Sequence, residues 1–342
     1  MIPRFLERYL FHSGRVWRRL PNSFKDRLIG RAFGRHLHAL VCRYSKRSQS
    51  FGTFFLRNRP EMELICRLVG QKPGGAEVAI SVLGCSKGAE VYSILWSIRR
   101  SGPNLRVNLQ AVDISPEILD YAKVGAYSLK DPAGLNAQQH LGMTEEEKLI
   151  WFTYRNQGLD EAASIFQRMD KSEMEAMFDR DGDVVRVKSW LKEGITWRLG
   201  DASAPELIRE LGPQDIVVAN RFLCHMEPAA AERCLRNIVG LVKAGGYIFV
   251  SGVDLDVRTK VAKELGWEPV PDLLREIHEG DFSMREGWPL QWWGLEPFCQ
   301  DYPDWRTRYA SVFRVGKAPF LDSDRGTAPV FGSFKRNLVA NY

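Results

Sequence analysis

Between Gly84 and Asp113 the chain sets out residues able to hold a small polar ligand. Gly84, Ser86 and Gly88 form a short turn, Glu90 lies just past it, and Asp113 follows Gly88 by twenty-five residues. Such a turn lets backbone amides approach a ligand closely, and an acid at this spacing is placed to bond the hydroxyls of a ribose. An adenosine-containing molecule fits that chemistry. The elements that must position these residues are legible around them. The apolar run Val78 to Leu83 reads as a buried strand, and Val91, Ile94, Leu95 and Ile98 mark one helical face. A second run, Val107 to Val112, delivers Asp113 at its end. Strand, turn, helix and strand make a βαβ unit, and in such parallel sheets ligands bind outside the carboxyl ends of the strands.

The turn is not a dinucleotide fingerprint, because Ser86 stands where that pattern has its second glycine and hinders approach to a pyrophosphate. A cofactor without phosphates tolerates the change. S-adenosylmethionine is one: its ribose suits Asp113, and its sulfonium favours nearby carboxylates.

The composition, 44% hydrophobic and 26% charged, is that of an ordinary globular protein, and 342 residues suffice for a large domain with appendages. No window approaches a membrane span, and the start lacks the apolar core of a secretory signal, so a cytoplasmic protein is expected. Six scattered cysteines without a CxxC pair speak against a zinc site or a disulfide framework. Asp179, Asp181 and Asp183 around Gly182 lack the spacing and terminal glutamate of a calcium loop, so that stretch reads as a hairpin turn before Val184, and no metal is expected. Residues 1–47 hold twelve Arg and Lys against Glu7 and Asp26, a surplus of ten, which leaves 6 − 10 = −4 for the rest. The basic character is local, and nucleic-acid binding is not inferred. Aromatic and aliphatic residues interleave with these arginines, and Pro21 and Gly30 read as breakers between short basic amphipathic helices. A helical cap with solvated arginines and a surface for anionic membranes or an acidic partner both fit this pattern.

Further along, residues 131–178 read as largely helical, with Leu149, Trp151, Phe152, Ile165, Phe166, Met169 and Met177 as core candidates. Ile195 to Leu199, Asp215 to Asn220 and Tyr247 to Ser251 read as strands, Pro228 to Val242 and Val257 to Leu265 as helices. Alternation of this kind gives an α/β fold with a mainly parallel sheet and helices on both faces. Trp288, Trp292, Trp293 and Trp305 suit a core covering or the wall of a substrate pocket. Tyr309 to Val315 reads as a last strand, and 316–342 as a tail.

Gly84-Cys-Ser-Lys-Gly-Ala-Glu-Val-Tyr-Ser93 closely resembles the GCSTGEEPYS motif of the CheR family, the methyltransferases that esterify glutamates on chemotaxis receptors. Ala111-Val-Asp-Ile-Ser115 is similar to that family's second motif, and Thr53-Phe-Phe-Leu-Arg57 to its TxFFR element. Val184 to Val187 resembles part of its small β-subdomain, and the resemblance runs over roughly residues 50–252. It implies a class I, Rossmann-like methyltransferase domain over 71–315, with a helical insertion and small β-subdomain at about 131–200. A basic helical segment, 1–70, precedes it. It further implies S-adenosylmethionine as cofactor, lined by Thr53, Arg57, Gly84, Ser86, Gly88, Glu90, Asp113, Asp201, Ala202, Asn220 and Arg221. The sequence departs from the family at Ala219-Asn-Arg-Phe-Leu-Cys-His-Met226, where the family has CRNxxIYF, and at Ala89 and Val91 in the first motif.

By this resemblance the acceptor is an acidic side chain of a protein such as a receptor. A glutamate is already ionised at neutral pH and needs no general base; Arg57 would orient it through paired hydrogen bonds. An amine or hydroxyl acceptor would need a base, and His225 is the candidate. The alternatives are a small-molecule acceptor held by the tryptophan-rich part, and a non-catalytic module that senses the cofactor within a signalling assembly.

Overall fold

The structure, a computed structural model, describes residues 4–45, 47, 51–102, 104–129 and 165–316. Leu149, Trp151 and Phe152, most of the helix expected over 131–178, and the expected tail beyond 316 lie outside them.

Ten strands form two sheets: β1 Glu77–Leu83, β2 Arg106–Asp113, β3 Ala126–Ser128, β4 Phe178–Asp181, β5 Val184–Val187, β6 Ile195–Leu199, β7 Gln214–Asn220, β8 Val242–Ser251, β9 Glu268–Pro269 and β10 Val312–Arg314. The large sheet has the order β6-β2-β1-β7-β8-β10-β9. Five strands from β6 to β8 are parallel, and β10 runs antiparallel to β8 and β9. This is the class I methyltransferase order, with the switch in winding direction between β1 and β7. The physical reason lies in the strands. Both faces of a parallel sheet are covered, so its strands are apolar throughout. Val78, Ile80 and Val82 of β1 and Ile216 and Val218 of β7 enter one core, while Leu83, Val217 and Ala219 enter the core on the opposite face.

The small sheet, β3-β5-β4, is antiparallel, and the Asp181–Val184 pair closes its hairpin at Gly182. It is tied to the main domain by aromatics: Phe55 packs edge-on against Tyr127 and Phe178 and stacks on Phe166. Residues 51–70, grouped with the N-terminal segment from sequence, are therefore part of the main core, where Leu56, Leu64, Ile65 and Val69 are also buried.

The N-terminal segment forms α1 (Arg4–Arg19), α2 (Asn22–Lys25) and α3 (Leu28–Tyr44). Pro21 separates the first two. Gly30 breaks nothing: it lies inside α3, where a Cβ would stand 2.1 Å from the Phe24 carbonyl, so glycine lets α3 close on α2. The cap is docked on the tryptophan-rich stretch. Trp17, Leu37 and Trp288 form a small core, Arg31 reaches Asp301, and Arg35 bonds the Tyr302 hydroxyl. Among the described residues no helix is long and apolar enough to cross a membrane.

Candidate cofactor and acceptor site

The helices that place the site are α4 (Arg59–Gly70), α5 (Ala89–Arg100) and α6 (Pro116–Val124). Between β1 and α5 the chain turns through Gly84, Ser86 and Gly88, all at positive φ. A Cβ on Gly88 would press on Tyr92, Ala122 and Trp197 at 3.1 to 3.2 Å, so this glycine serves both the turn and the packing of α5. The Asp113 carboxylate is buried and turned toward the turn: Oδ2 accepts from the Ser86 amide at 2.8 Å and Oδ1 from the Ser115 amide at 3.1 Å. Each oxygen keeps a lone pair for a further donor such as a sugar hydroxyl. Ser86 itself ties the turn to the 51–57 segment by donating from Oγ to the Phe51 carbonyl.

Segment 51–57 lies over α5. Thr53 is buried in it, and the Leu56 amide donates to Ser93 Oγ while Leu56 sits at φ 51°. This delivers Arg57 to the carboxyl ends of β1 and β7. Across the switch point, Asn220 ends β7. Its Nδ2 donates to Glu61 at 2.7 Å and to Glu90 at 2.8 Å, and its Oδ1 accepts from the Ser251 amide and hydroxyl. Arg221 follows at φ 63°, held by Asp281 at 3.0 Å, and Asp281 also pairs with Arg168. The four non-glycine residues at positive φ among those described are Leu56, Ser86, Arg221 and Leu273. Three of them flank this site, and backbone strain of about 1 to 3 kcal/mol per residue persists where the surroundings enforce it, commonly at functional sites.

The electrostatics follow from burial. Burial raises Glu61, the adjacent Glu90 charge raises it further, and the amide of Asn220 only partly offsets this. Burial likewise raises Glu90, against the pull of Arg57. Two carboxyls on one amide do not both ionise, and one holds a proton. Burial also pushes Asp281 up, but Arg221, Arg57 and Arg168 together outweigh it and hold it at about 2. Arg57 is lowered by burial and by the nearby Arg221.

These groups share one cavity of about 20 Å³, roughly the space of one water molecule. Arg57, Glu61, Glu90 and Asn220 line it together with Arg258, His278 and Asp281. Glu90 is a half-buried carboxylate that accepts from Asn220, and its negative charge suits a cation such as the ammonium or sulfonium of S-adenosylmethionine; with Asp113 at the neighbouring strand end, the donor set fits that cofactor.

Of the residues expected from sequence, the structure brings Arg57, Glu90 and Asn220 together at the cavity, sets Arg221 outside its wall in a salt bridge to the lining Asp281, and groups Gly84, Ser86, Gly88 and Asp113 at the turn. Asp201 and Ala202 follow β6, next to Asp113, whose carbonyl accepts from Gly200. The Asp201 carboxylate is exposed and caps its own turn through Ser203, and the Ala202 carbonyl accepts from Asn237. His225 does not line the cavity. The left-handed turn at Arg221 leads into a 3-10 turn, Leu223–His225, which Arg47 pins by donating to the Cys224 and Met226 carbonyls while pairing with Asp254.

Sequence reading missed Glu61, Arg168, Arg258, His278 and Asp281. Only Glu61 left a signal: it stands on the same helical face as Leu64, Ile65 and Leu68, an acid in an apolar stripe.

Comparison with known proteins bears on this geometry. Residues 52–150 match the family model described as CheR methyltransferase, SAM binding domain. The match takes in residues 52–57, the turn and Asp113, and stops short of Asn220. A Pseudomonas putida protein carrying the name methyltransferase Cher3 is 42% identical over 53 residues, which is 16% of this chain and 19% of that one. The chain thus spans about a fifth of that relative's length. Among solved structures, magnesium protoporphyrin IX methyltransferase from Synechocystis PCC 6803 with bound SAM is 13% identical, covering 62% of this chain and 71% of that one at a TM-score of 0.31. An O-methyltransferase family protein from Burkholderia thailandensis is 12% identical, covering 77% and 56% at 0.31.

Proposed function

We propose that this chain, which carries a CheR-type S-adenosylmethionine-binding domain over residues 52–150, is an S-adenosylmethionine-dependent methyltransferase that esterifies a carboxylate of a protein substrate. The observation that carries this reading is the convergence of Arg57, Glu90 and Asn220 on one cavity at the carboxyl ends of β1 and β7. When bound, S-adenosylmethionine supplies an electrophilic methyl group on a sulfonium. Holding donor and acceptor in line is the main task left to the protein, worth about 7 to 11 kcal/mol of the barrier.

The charge balance around the cavity favours an anionic acceptor. Arg57 and Arg258 line it, Arg168 and Arg221 stand behind Asp281, and one of the pair Glu61 and Glu90 keeps its proton. Guanidinium groups thus outnumber ionised carboxylates there. A carboxylate acceptor needs no proton removed, which agrees with the absence of His225 from the cavity wall.

Calorimetric titration with S-adenosylmethionine tests the cofactor, and tritiated methyl incorporation into cell lysate tests the acceptor. Label is expected in protein and is expected to be released by mild base, as an ester is. Base-stable label, or label confined to small molecules, would contradict the proposed acceptor; no heat of cofactor binding would contradict the enzyme.

A further inference from the structure

Two acids from different helices converge on one nitrogen. Glu61 stands in the first turn of α4 and Glu90 in the first turn of α5, and both accept from Asn220 Nδ2, at 2.7 and 2.8 Å. The amide cannot turn away from them, because its Oδ1 is held by the Ser251 amide and hydroxyl. The two acids differ in access: Glu61 is 2% exposed, whereas Glu90 is only half-buried.

The cations nearby are engaged elsewhere. Arg57 donates to the Gly52 carbonyl, Arg168 and Arg221 pair with Asp281, and Arg258 bonds Ser311 Oγ and the Val250 and Arg308 carbonyls. His278 adds no charge, since burial holds its ring neutral, down to about 3, with Nε2 bonded to the Glu296 carbonyl. Asp281 is the one further acid on the cavity wall, and its two arginines answer it. The pair is left to itself. Two carboxyls this close share a proton, and the buried partner keeps it. Burial is the larger cause of the raised Glu61 value and the Glu90 charge the next, against the pull of Asn220 and Arg57. A cation set against the accessible side of Glu90 cancels the second cause and leaves the first, so part of the proton is released.

We infer that Glu61 is a positioning residue that stores a proton beside the cofactor site, and that the cationic end of S-adenosylmethionine, on reaching Glu90, drives this proton out to solvent. Glu61 touches no ligand and acts through Asn220 and Glu90. The inference rests on the methyltransferase reading, which supplies the ligand. A ligand that releases a proton on binding gains affinity as pH rises, so the pair makes cofactor binding pH-dependent.

The test uses the full chain. Calorimetric titration with S-adenosylmethionine is run at about pH 6.5, where the α-amino group of the cofactor is almost wholly protonated, in phosphate and in bis-tris. The difference in heat between buffers of unlike ionisation enthalpy counts the protons exchanged. The wild type is expected to release about 0.2 to 1 proton per cofactor, and Glu61→Gln none. On the wild type, 5′-methylthioadenosine, the same nucleoside without ammonium or sulfonium, should release none. From about pH 6 to pH 8 the ratio of wild-type to Glu61→Gln affinity for the cofactor should rise about three- to tenfold, one pKa unit being a factor of ten. A residue that only fills space would leave that ratio flat. Should the glutamine variant not fold, the comparison of the two ligands on the wild type decides alone. Cofactor binding without proton release, or equal release with 5′-methylthioadenosine or in the variant, overturns the inference and leaves the methyltransferase reading in place. No heat of cofactor binding at any pH overturns both.

Discussion

At the scale of single residues, the centre of the site is one amide shared by two acids. Asn220 uses both N–H bonds on Glu61 and Glu90 and both lone pairs on Ser251, so its orientation is fixed from four directions. The consequence can be read in stability. Glu61 is 2% exposed, and its raised pKa means that the folded chain holds a proton that the unfolded chain has already released. Its stabilisation is complete below the unfolded carboxyl value of about 4.3 and is lost as pH rises toward the folded value. Glu61→Gln keeps an oxygen for Asn220 and removes the titration. The wild type is expected to lose about 1 to 3 kcal/mol between pH 5 and 8, and the variant to show a distinctly flatter profile. Urea midpoints across that range measure it; parallel profiles would show that Glu61 is ionised throughout.

At the scale of elements, α3 is held against the rest of the chain by a close contact at a glycine. A Cβ on Gly34 would stand 2.2 Å from a Trp288 ring carbon and 2.9 Å from Trp17. Alanine normally favours a helix interior by about 1 kcal/mol over glycine, but forcing two packed indoles apart costs about 1 to 3 kcal/mol, so the clash should win. Gly34→Ala is expected to lower the melting temperature, and limited trypsin digestion should cut the cap before the main domain. Equal or greater stability would mean the rings give way freely. None of this was legible in the sequence, since Gly34 and Trp288 meet only through the tertiary fold. What was legible is what local pattern determines: β1, β2 and β7 as apolar runs, β6 as a further strand, the glycine turn, and Asp113 at a strand end. The ion cluster was half legible for the same reason. Glu90 sits just past the turn that a βαβ reading points to and Asn220 came from the family resemblance, whereas Asp281 and Arg168 are ordinary charged residues until the fold places them beside Arg221. Two-residue β9 is too short to carry a periodicity, the strand expected over Tyr309 to Val315 narrows to β10, and the helix expected over Pro228 to Val242 stops at Ile238, where a 3-10 turn, Val239–Leu241, leads into β8.

At the scale of the whole molecule, the charge surplus of the first 47 residues has a shape. One side of the cap packs on Trp288, and its solvent-facing positions carry large apolar groups: Phe5, Phe11 and Val16 on α1 and Leu28 and Ile29 at the start of α3 are each more than half exposed. Arg8, Arg15, Arg19 and Arg27 are exposed among them. Apolar side chains ringed by arginines are the signature of a surface that lies in the headgroup region of an anionic bilayer, and each basic residue near such a surface contributes about 1 kcal/mol. We propose that the cap holds the enzyme on anionic membrane, where a membrane-bound protein substrate would present its carboxylates. The full chain should co-sediment with vesicles containing about a third phosphatidylglycerol and not with pure phosphatidylcholine, and the binding should weaken as salt rises. Phe5→Glu combined with Leu28→Glu alters only solvated positions, so cofactor affinity should hold while vesicle binding falls at least tenfold. Vesicle binding that survives in this variant, or that ignores lipid charge, would return the cap to a purely structural covering of Trp288.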